Sequence, residues 1–315
     1  MRVEEVYHPR IDPAALRSLS VVDVWRWLRA ALLNWCIIAI TVAAFAARPV
    51  WWVCLPAIVV IGARQHALGI LVHEGVHFRV CASHRWNDAL SDCLAGYPLL
   101  TPTAGYRWFH LKHHQFLDTP LDPEQITVRR FPMEWSFPMK PWRFLLLLMR
   151  DLSGLWPVPL FVLSRLIWTF PGRRPHLVGV AAFHIAAAGV AAAGGRLTYL
   201  LLLWWVPMLT VFPFCFRIRT AAEHSALPGG DRRYTRAAVD VLRSTRTVFA
   251  NALDRIFLGP HNVSYHIEHH LYPSVPFYRL ADLAKILRQD REFAARSEEA
   301  RSYWNVIAGF GNPRA

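Results

Sequence analysis

Two stretches of the chain are dominated by long apolar runs. From Ala30 to Ala47 only Asn34 and Thr41 are polar, close to the roughly 20 residues that a spanning helix needs. After Arg48-Pro49 a second run covers Val50 to Val72, with Arg64, Gln65 and His66 toward its end. A third covers Leu177 to Ala193 and, after Gly194-Gly195-Arg196, a fourth covers Leu197 to Phe216. These four predict membrane-spanning helices in pairs, because each linker is only long enough for a turn. Phe144 to Phe170 is also oily, but Arg150, Asp151, Pro157, Pro159 and Arg165 interrupt it. It predicts an interfacial or re-entrant piece rather than a span. Trp86 to Gly105 starts with the polar Asn87, Asp88, Ser91 and Asp92 and is too short to cross, so it predicts a segment that dips in and returns. Arg279 to Arg288 sets Leu280, Leu283, Ile286 and Leu287 on one side of a helix. That amphipathic pattern suits a helix resting on lipid headgroups or one packed against the rest of the protein.

Composition agrees with the pattern. Of 315 residues 54% are hydrophobic and 14 are Trp, whereas a soluble domain runs nearer about 45–50% apolar. The net charge of +13 would suggest nucleic acid in a soluble protein. Here each tiny linker holds a single basic residue, Arg48 or Arg196, and nearly all the others collect in the amino-terminal arm, the segment between the span pairs and the carboxyl-terminal region. That is the positive-inside distribution, and no nucleic-acid partner is expected. The expected fold is all-α and integral to the membrane: four transmembrane helices in two hairpins, with a cytoplasmic histidine-rich cap and both termini cytoplasmic. The expected segmentation is an amino-terminal arm over residues 1–29, a membrane domain over 30–278 and an amphipathic tail over 279–315. Five cysteines, odd in number and without a Cys-x-x-Cys pair, indicate neither a disulfide framework nor a thiolate metal site. Met1 to Leu28 is charged and lacks a signal-peptide pattern, and the expected location is the inner (cytoplasmic) membrane.

The candidate chemistry lies in the histidines. There are 15, and nine fall into three clusters and an outlier beside the apolar runs: His73 and His77; His110, His113 and His114; His266, His269 and His270; and His224. Spacings of three and four place each cluster on one helix face, and imidazole is the commonest metal ligand at neutral pH. Three such faces could surround more than one metal ion. The first cluster also reads His73-Glu74-x-x-His77, the zinc-peptidase helix pattern. One catalytic zinc takes three protein ligands, which would leave most of the other histidines idle. A metal-transport reading fares no better, since ligands gathered on one membrane side form a trap and not a path. His8, His66, His84, His176, His184 and His261 lack the spacing and are not expected to be ligands.

The order His-x-x-x-His, His-x-x-His-His, Glu-His and Asn-x-x-x-His-x-x-His-His, from about Ala57 to Tyr278, resembles the membrane fatty acid desaturase superfamily, which also holds hydroxylases and ketolases. The resemblance implies two iron ions held by His73, His77, His110, His113, His114, His224, His266, His269 and His270, with O2 as co-substrate. It also gives Asn262 a place near the ligands, binding through water or orienting a ring. Glu74, Glu223 and Glu268 stand beside ligands and are expected to accept N–H bonds from imidazoles. The implied reaction is desaturation of a fatty acyl or similar apolar lipid chain; hydroxylation or ketolation would use the same ligands. Two external electrons are needed and no haem or iron–sulfur motif is present. A separate donor of ferredoxin or cytochrome type is therefore expected on the basic face.

Overall fold

A computed structural model describes residues 7–124, 131–135, 137, 139–155, 169–224 and 241–310. The fold is helical apart from one pair of two-residue strands. Among the described residues four helices are long and apolar enough to cross a membrane: α2 (Val24–Ala47), α3 (Trp51–Val76), α7 (Arg173–Ala193) and α8 (Leu197–His224). Shorter helices include α1 (Pro13–Leu19), α4 (His84–Ser91), α5 (Thr103–Phe116), α6 (Pro141–Leu152), α9 (Ala252–Phe257), α10 (His266–Leu271), α11 (Leu280–Leu287), α12 (Arg291–Arg296) and α13 (Tyr303–Gly309). The described residues form two compact units. A span unit takes those within 23–108 and 148–217, and a histidine-rich unit those within 1–22, 109–147 and 218–310.

Each span runs past the end that hydropathy suggests, and the cause is local. The Asp23 carboxylate accepts from the backbone N–H groups of Trp25 and Arg26, at 2.9 and 3.3 Å, and so starts α2 six residues before Ala30. Helix α3 continues through Arg64, Gln65 and His66 to Val76 because the polar groups find partners within the bundle. Arg64 Nη1 donates to Asn34 Oδ1 at 3.2 Å, and Gln65 Nε2 donates to the Trp204 carbonyl at 2.8 Å. Helix α8 continues beyond Phe216 to His224. Its Arg217 forms a buried bidentate pair with Asp151, one bond being 3.0 Å, and Arg219 reaches Glu223 at 2.8 Å. Within α8, residues Leu201–Trp205 form a π-helical turn just before Pro207, whose nitrogen cannot donate.

Close approach governs the packing of the span unit. A side chain on Gly62 would press into Val211, with Cγ1 only 2.7 Å from its Cβ, so α3 and α8 meet at a bare backbone. Trp35 stacks on Trp204 with ring centroids 5.6 Å apart, and Trp27 Nε1 donates to the Leu71 carbonyl at 3.2 Å. After α4 a π-helical turn (Asp92–Gly96) leads to a reversal at residues 97–102, and Thr103 N donates to Asp92 Oδ1 at 2.7 Å as α5 begins. Of the Phe144–Phe170 stretch, α6 is described to Leu152, whereas residues 156–168 lie outside the described residues.

The histidine-rich unit has its own core of Leu19, Leu242, Ile267, Leu271, Val275, Leu280, Leu283, Leu287 and Phe293. The apolar side of α11 therefore faces protein: Leu280, Leu283 and Leu287 are buried there, each worth about 1.5–3 kcal/mol. The amino-terminal arm is tied to this core. Tyr7 donates to Asp290, Tyr272 OH donates to the Pro9 carbonyl at 2.5 Å, and Ser20 meets Ser274 at 3.0 Å. Parallel strands β1 (Thr247–Val248) and β2 (Glu299–Ala300) hold the chain that follows α12 against the segment preceding α9.

Candidate metal centre

Seven of the nine singled-out histidines belong to the histidine-rich unit, and its geometry brings them together. Helix α5 carries His110, His113 and His114; α10 carries His266, His269 and His270; and His224 ends α8. Both triples use i, i+3, i+4 spacing, which stacks the rings on one face. His113, His224 and His270 present nitrogens that all lie within 4.8 Å of one another, and so do His110, His114 and His269. Four Nε2–Nε2 separations link them: His224–His266 at 2.6 Å, His110–His114 at 2.9 Å, His114–His269 at 3.1 Å and His266–His270 at 3.2 Å. Neighbouring imidazole ligands of a metal bound at about 2.1 Å stand about 3 Å apart. The donor set thus fits metal ions in both spacing and chemistry.

Neighbouring groups tune and aim these rings. Burial, and then the surrounding imidazoles His114, His266, His113 and His224, hold His270 well below the ordinary histidine range. It is a neutral donor at pH 7. His113 goes the other way: burial pushes it down, but Glu124 and Asp122 outweigh that and raise its basicity. Its Nδ1 meets both oxygens of buried Asp122 at 3.1 Å, and among the described residues its buried Nε2 has no hydrogen-bond partner. A carboxylate on one ring nitrogen that leaves the other free to bind is the usual outer layer of a metal site. Asp122 is itself held by the N–H groups of Asp118 and Glu124, at 3.0 and 2.8 Å, so its orientation is fixed by the loop after α5.

The carboxylates expected beside the ligands take several roles. Glu223 Oε2 lies 3.3 Å from His266 Nδ1 and accepts from Arg219 Nε, while Oε1 accepts from Tyr303 OH at 2.7 Å. Glu268 Oε2 instead takes the hydroxyl of Thr247 at 2.5 Å. Burial pushes the Glu268 carboxyl up to about 7, with the Thr247 bond pulling the other way. Asn262, at φ 55°, donates its amide to the Phe277 carbonyl at 3.1 Å. Asp122, Arg219, Thr247 and Tyr303 were not singled out from sequence. Only Arg219, a cation in a hydrophobic stretch, carried a signal that could have found it.

In the span unit, His73 and His77 sit at the carboxyl end of α3, buried, with ring centroids 4.9 Å apart. Glu74 Oε1 is 4.0 Å from His73 Nδ1, beyond hydrogen-bond reach. The end of α3 is clamped by Arg107, which donates to the carbonyls of Val76 and Gly75, at 2.9 and 2.7 Å, and pairs with Asp88 at 2.6 Å. The histidines left out of the set have other neighbours. His84 stacks on Phe78, His176 and His184 lie against Tyr97, His66 is beside Phe212, His261 beside Phe277 and His8 beside Tyr272.

The comparisons with known proteins point the same way. The chain matches the family model described as fatty acid desaturase over residues 49–301. All nine histidines fall inside that match. It is also similar to a dihydrorhizobitoxine desaturase from Bradyrhizobium elkanii, 29% identical over 261 residues that cover 78% of this chain and 70% of the other. With apolar spans, two groups of facing imidazoles and a family match over most of its length, this chain is a membrane oxidoreductase that belongs to the fatty acid desaturase family.

Proposed function

We propose that this enzyme is an O2-dependent desaturase that introduces a carbon–carbon double bond into a fatty acyl or similar lipid chain. In that reaction one dioxygen, two electrons and two protons enter with the saturated chain. Two waters and the unsaturated chain leave. The ligands are His73, His77, His110, His113, His114, His224, His266, His269 and His270. Two irons bound there would supply the activated oxygen needed to attack an unactivated C–H bond. Asp122 fixes the Nδ1 side of His113 and turns Nε2 toward His224 and His270. Glu223, steadied by Arg219 and Tyr303, sets its charge 3.3 Å from His266 Nδ1. Alkyl C–H chemistry rewards such fixed placement, because displacing the reacting methylene by about 1 Å can cost 10²-fold in rate.

The proposal includes topology and partners. The spans form two hairpins, with termini and histidines on the cytoplasmic side of the inner membrane. Residues 1–29 act as an arm, 30–278 as the catalytic domain and 279–315 as the tail. Electrons come from a ferredoxin or cytochrome. The observation that carries the reading is the array of facing Nε2 atoms 2.6–3.2 Å apart. Desaturation is favoured over hydroxylation because the similar protein from Bradyrhizobium elkanii is named a desaturase. Comparing the lipids of cells with and without this protein by mass spectrometry tests it. A product lighter by two mass units supports desaturation, and one heavier by sixteen makes the enzyme a hydroxylase. Fully active protein free of iron would overturn the metal assignment.

A further inference from the structure

Spans α2, α7 and α8 leave a groove of about 480 Å³ between them. Ile38 and Val42 of α2, Ala187 and Ala191 of α7, and Leu203 of α8 line its apolar length, and Arg196 stands at its mouth. The pairs Ile38/Val42 and Ala187/Ala191 are each spaced i, i+4, so single helix faces form the walls. The alanines of α7 leave the space open, and Val180 is the only buried residue of that helix. A span so thinly packed needs something beside it.

The mouth says what that is. Among the described residues Arg196 is the only charged one lining the groove, and its guanidinium lies 5.7 Å over the Tyr199 ring. Tyr199 in turn meets Phe45 of α2, ring centroids 5.0 Å apart, and Arg48 ends α2 one turn beyond Phe45. Residues 24–73 and 173–222 contain no Asp or Glu. This end of the bundle therefore presents two arginines over an apolar slot, with no acid in those residues to neutralise them. We propose that the groove binds one anionic phospholipid, its phosphate on Arg196 beside Arg48 and one acyl chain along α7. Arginine suits phosphate because its planar fork donates two parallel hydrogen bonds. The bound lipid acts structurally, its headgroup beside Arg48 at the end of α3 opposite His73, which follows Trp51 by 22 residues, about 33 Å at helical rise. It fastens α7 to α2, and the inference stands whatever reaction the histidines support.

The test is native mass spectrometry and lipid extraction on the full chain purified in mild detergent, with thermal unfolding in nanodiscs of phosphatidylglycerol or phosphatidylcholine. Wild type should retain about one anionic phospholipid per chain and unfold at higher temperature in phosphatidylglycerol. Arg196→Gln should weaken retention about tenfold, the loss of one charged hydrogen-bonding contact, and erase the preference, and Arg196→Lys should restore part of both. Equal retention by wild type and Arg196→Gln overturns the proposal. So does a lipid-free wild-type dimer that Ala187→Trp converts to monomers, which assigns the groove to a second copy.

Discussion

Asp122 shows how much of this site rests on single atoms. It lies nine residues after His113 in a loop, is almost wholly buried, and places both carboxylate oxygens 3.1 Å from His113 Nδ1. Replacing it by Asn keeps the shape but removes one of the two charges, with Glu124, that raise the basicity of His113. Asp122→Asn should bind iron about 10–100-fold more weakly, the usual loss for such outer partners. Iron retained through dialysis against a chelator measures this, and retention equal to wild type would remove Asp122 from the site. The histidines were legible because triples at helical spacing recur twice in an apolar chain. Asp122 was not, since a carboxylate nine residues away across a turn has no periodicity to betray it. Tyr303 was less legible still, reaching Glu223 from 80 residues further along the chain.

Elements were legible where hydropathy alone sets them and illegible where side-chain pairing extends them. All four spans follow from apolar runs; their true ends follow from the Asp23 cap, the Gln65–Trp204 bond and the Arg217–Asp151 pair. Helix contacts are not visible in hydropathy at all. Gly62 and Gly189 look alike in sequence, yet a side chain at Gly62 collides with Val211 and one at Gly189 meets nothing within 4 Å. Gly62→Leu should destabilise the folded protein by about 1–3 kcal/mol through overpacking, while Gly189→Ala should be neutral or slightly stabilising. Thermal unfolding of the two variants in one detergent decides this, and equal melting temperatures would contradict the packing described. The clamp on α3 adds a pH signature. Burial raises the Asp88 carboxyl, but bonds from Arg107 and Asn87 more than compensate and hold it below the usual carboxylate value. A depressed folded-state pKa gives stability that is present at neutral pH and lost as pH falls through that value. Asp88→Asn should therefore melt below wild type at pH 7, and the gap should close below about pH 4. A gap that stays constant down to pH 3 would mean that the carboxylate charge plays no part.

On the scale of the whole molecule, charge is the property that connects the chain to its proposed donor. The excess of 35 basic over 22 acidic residues gives +13, and the two short linkers between spans hold only one basic residue each, Arg48 and Arg196. In the proposed reaction two electrons per turnover arrive by collision with a separate donor protein. A field of that sign speeds encounter with an acidic donor and repels a basic one. Screening then sets the salt dependence, because the Debye length shrinks from about 10 Å at 0.1 M to about 3 Å at 1 M. Turnover driven by limiting amounts of an acidic ferredoxin should fall roughly tenfold across that range, whereas turnover driven by an uncharged small-molecule reductant should barely change. The comparison separates docking from any effect of salt on the membrane or the metal site, since both reactions share those. Salt curves that coincide for the two reductants would mean that the arginine excess does not recruit the donor and that electrons enter without electrostatic guidance.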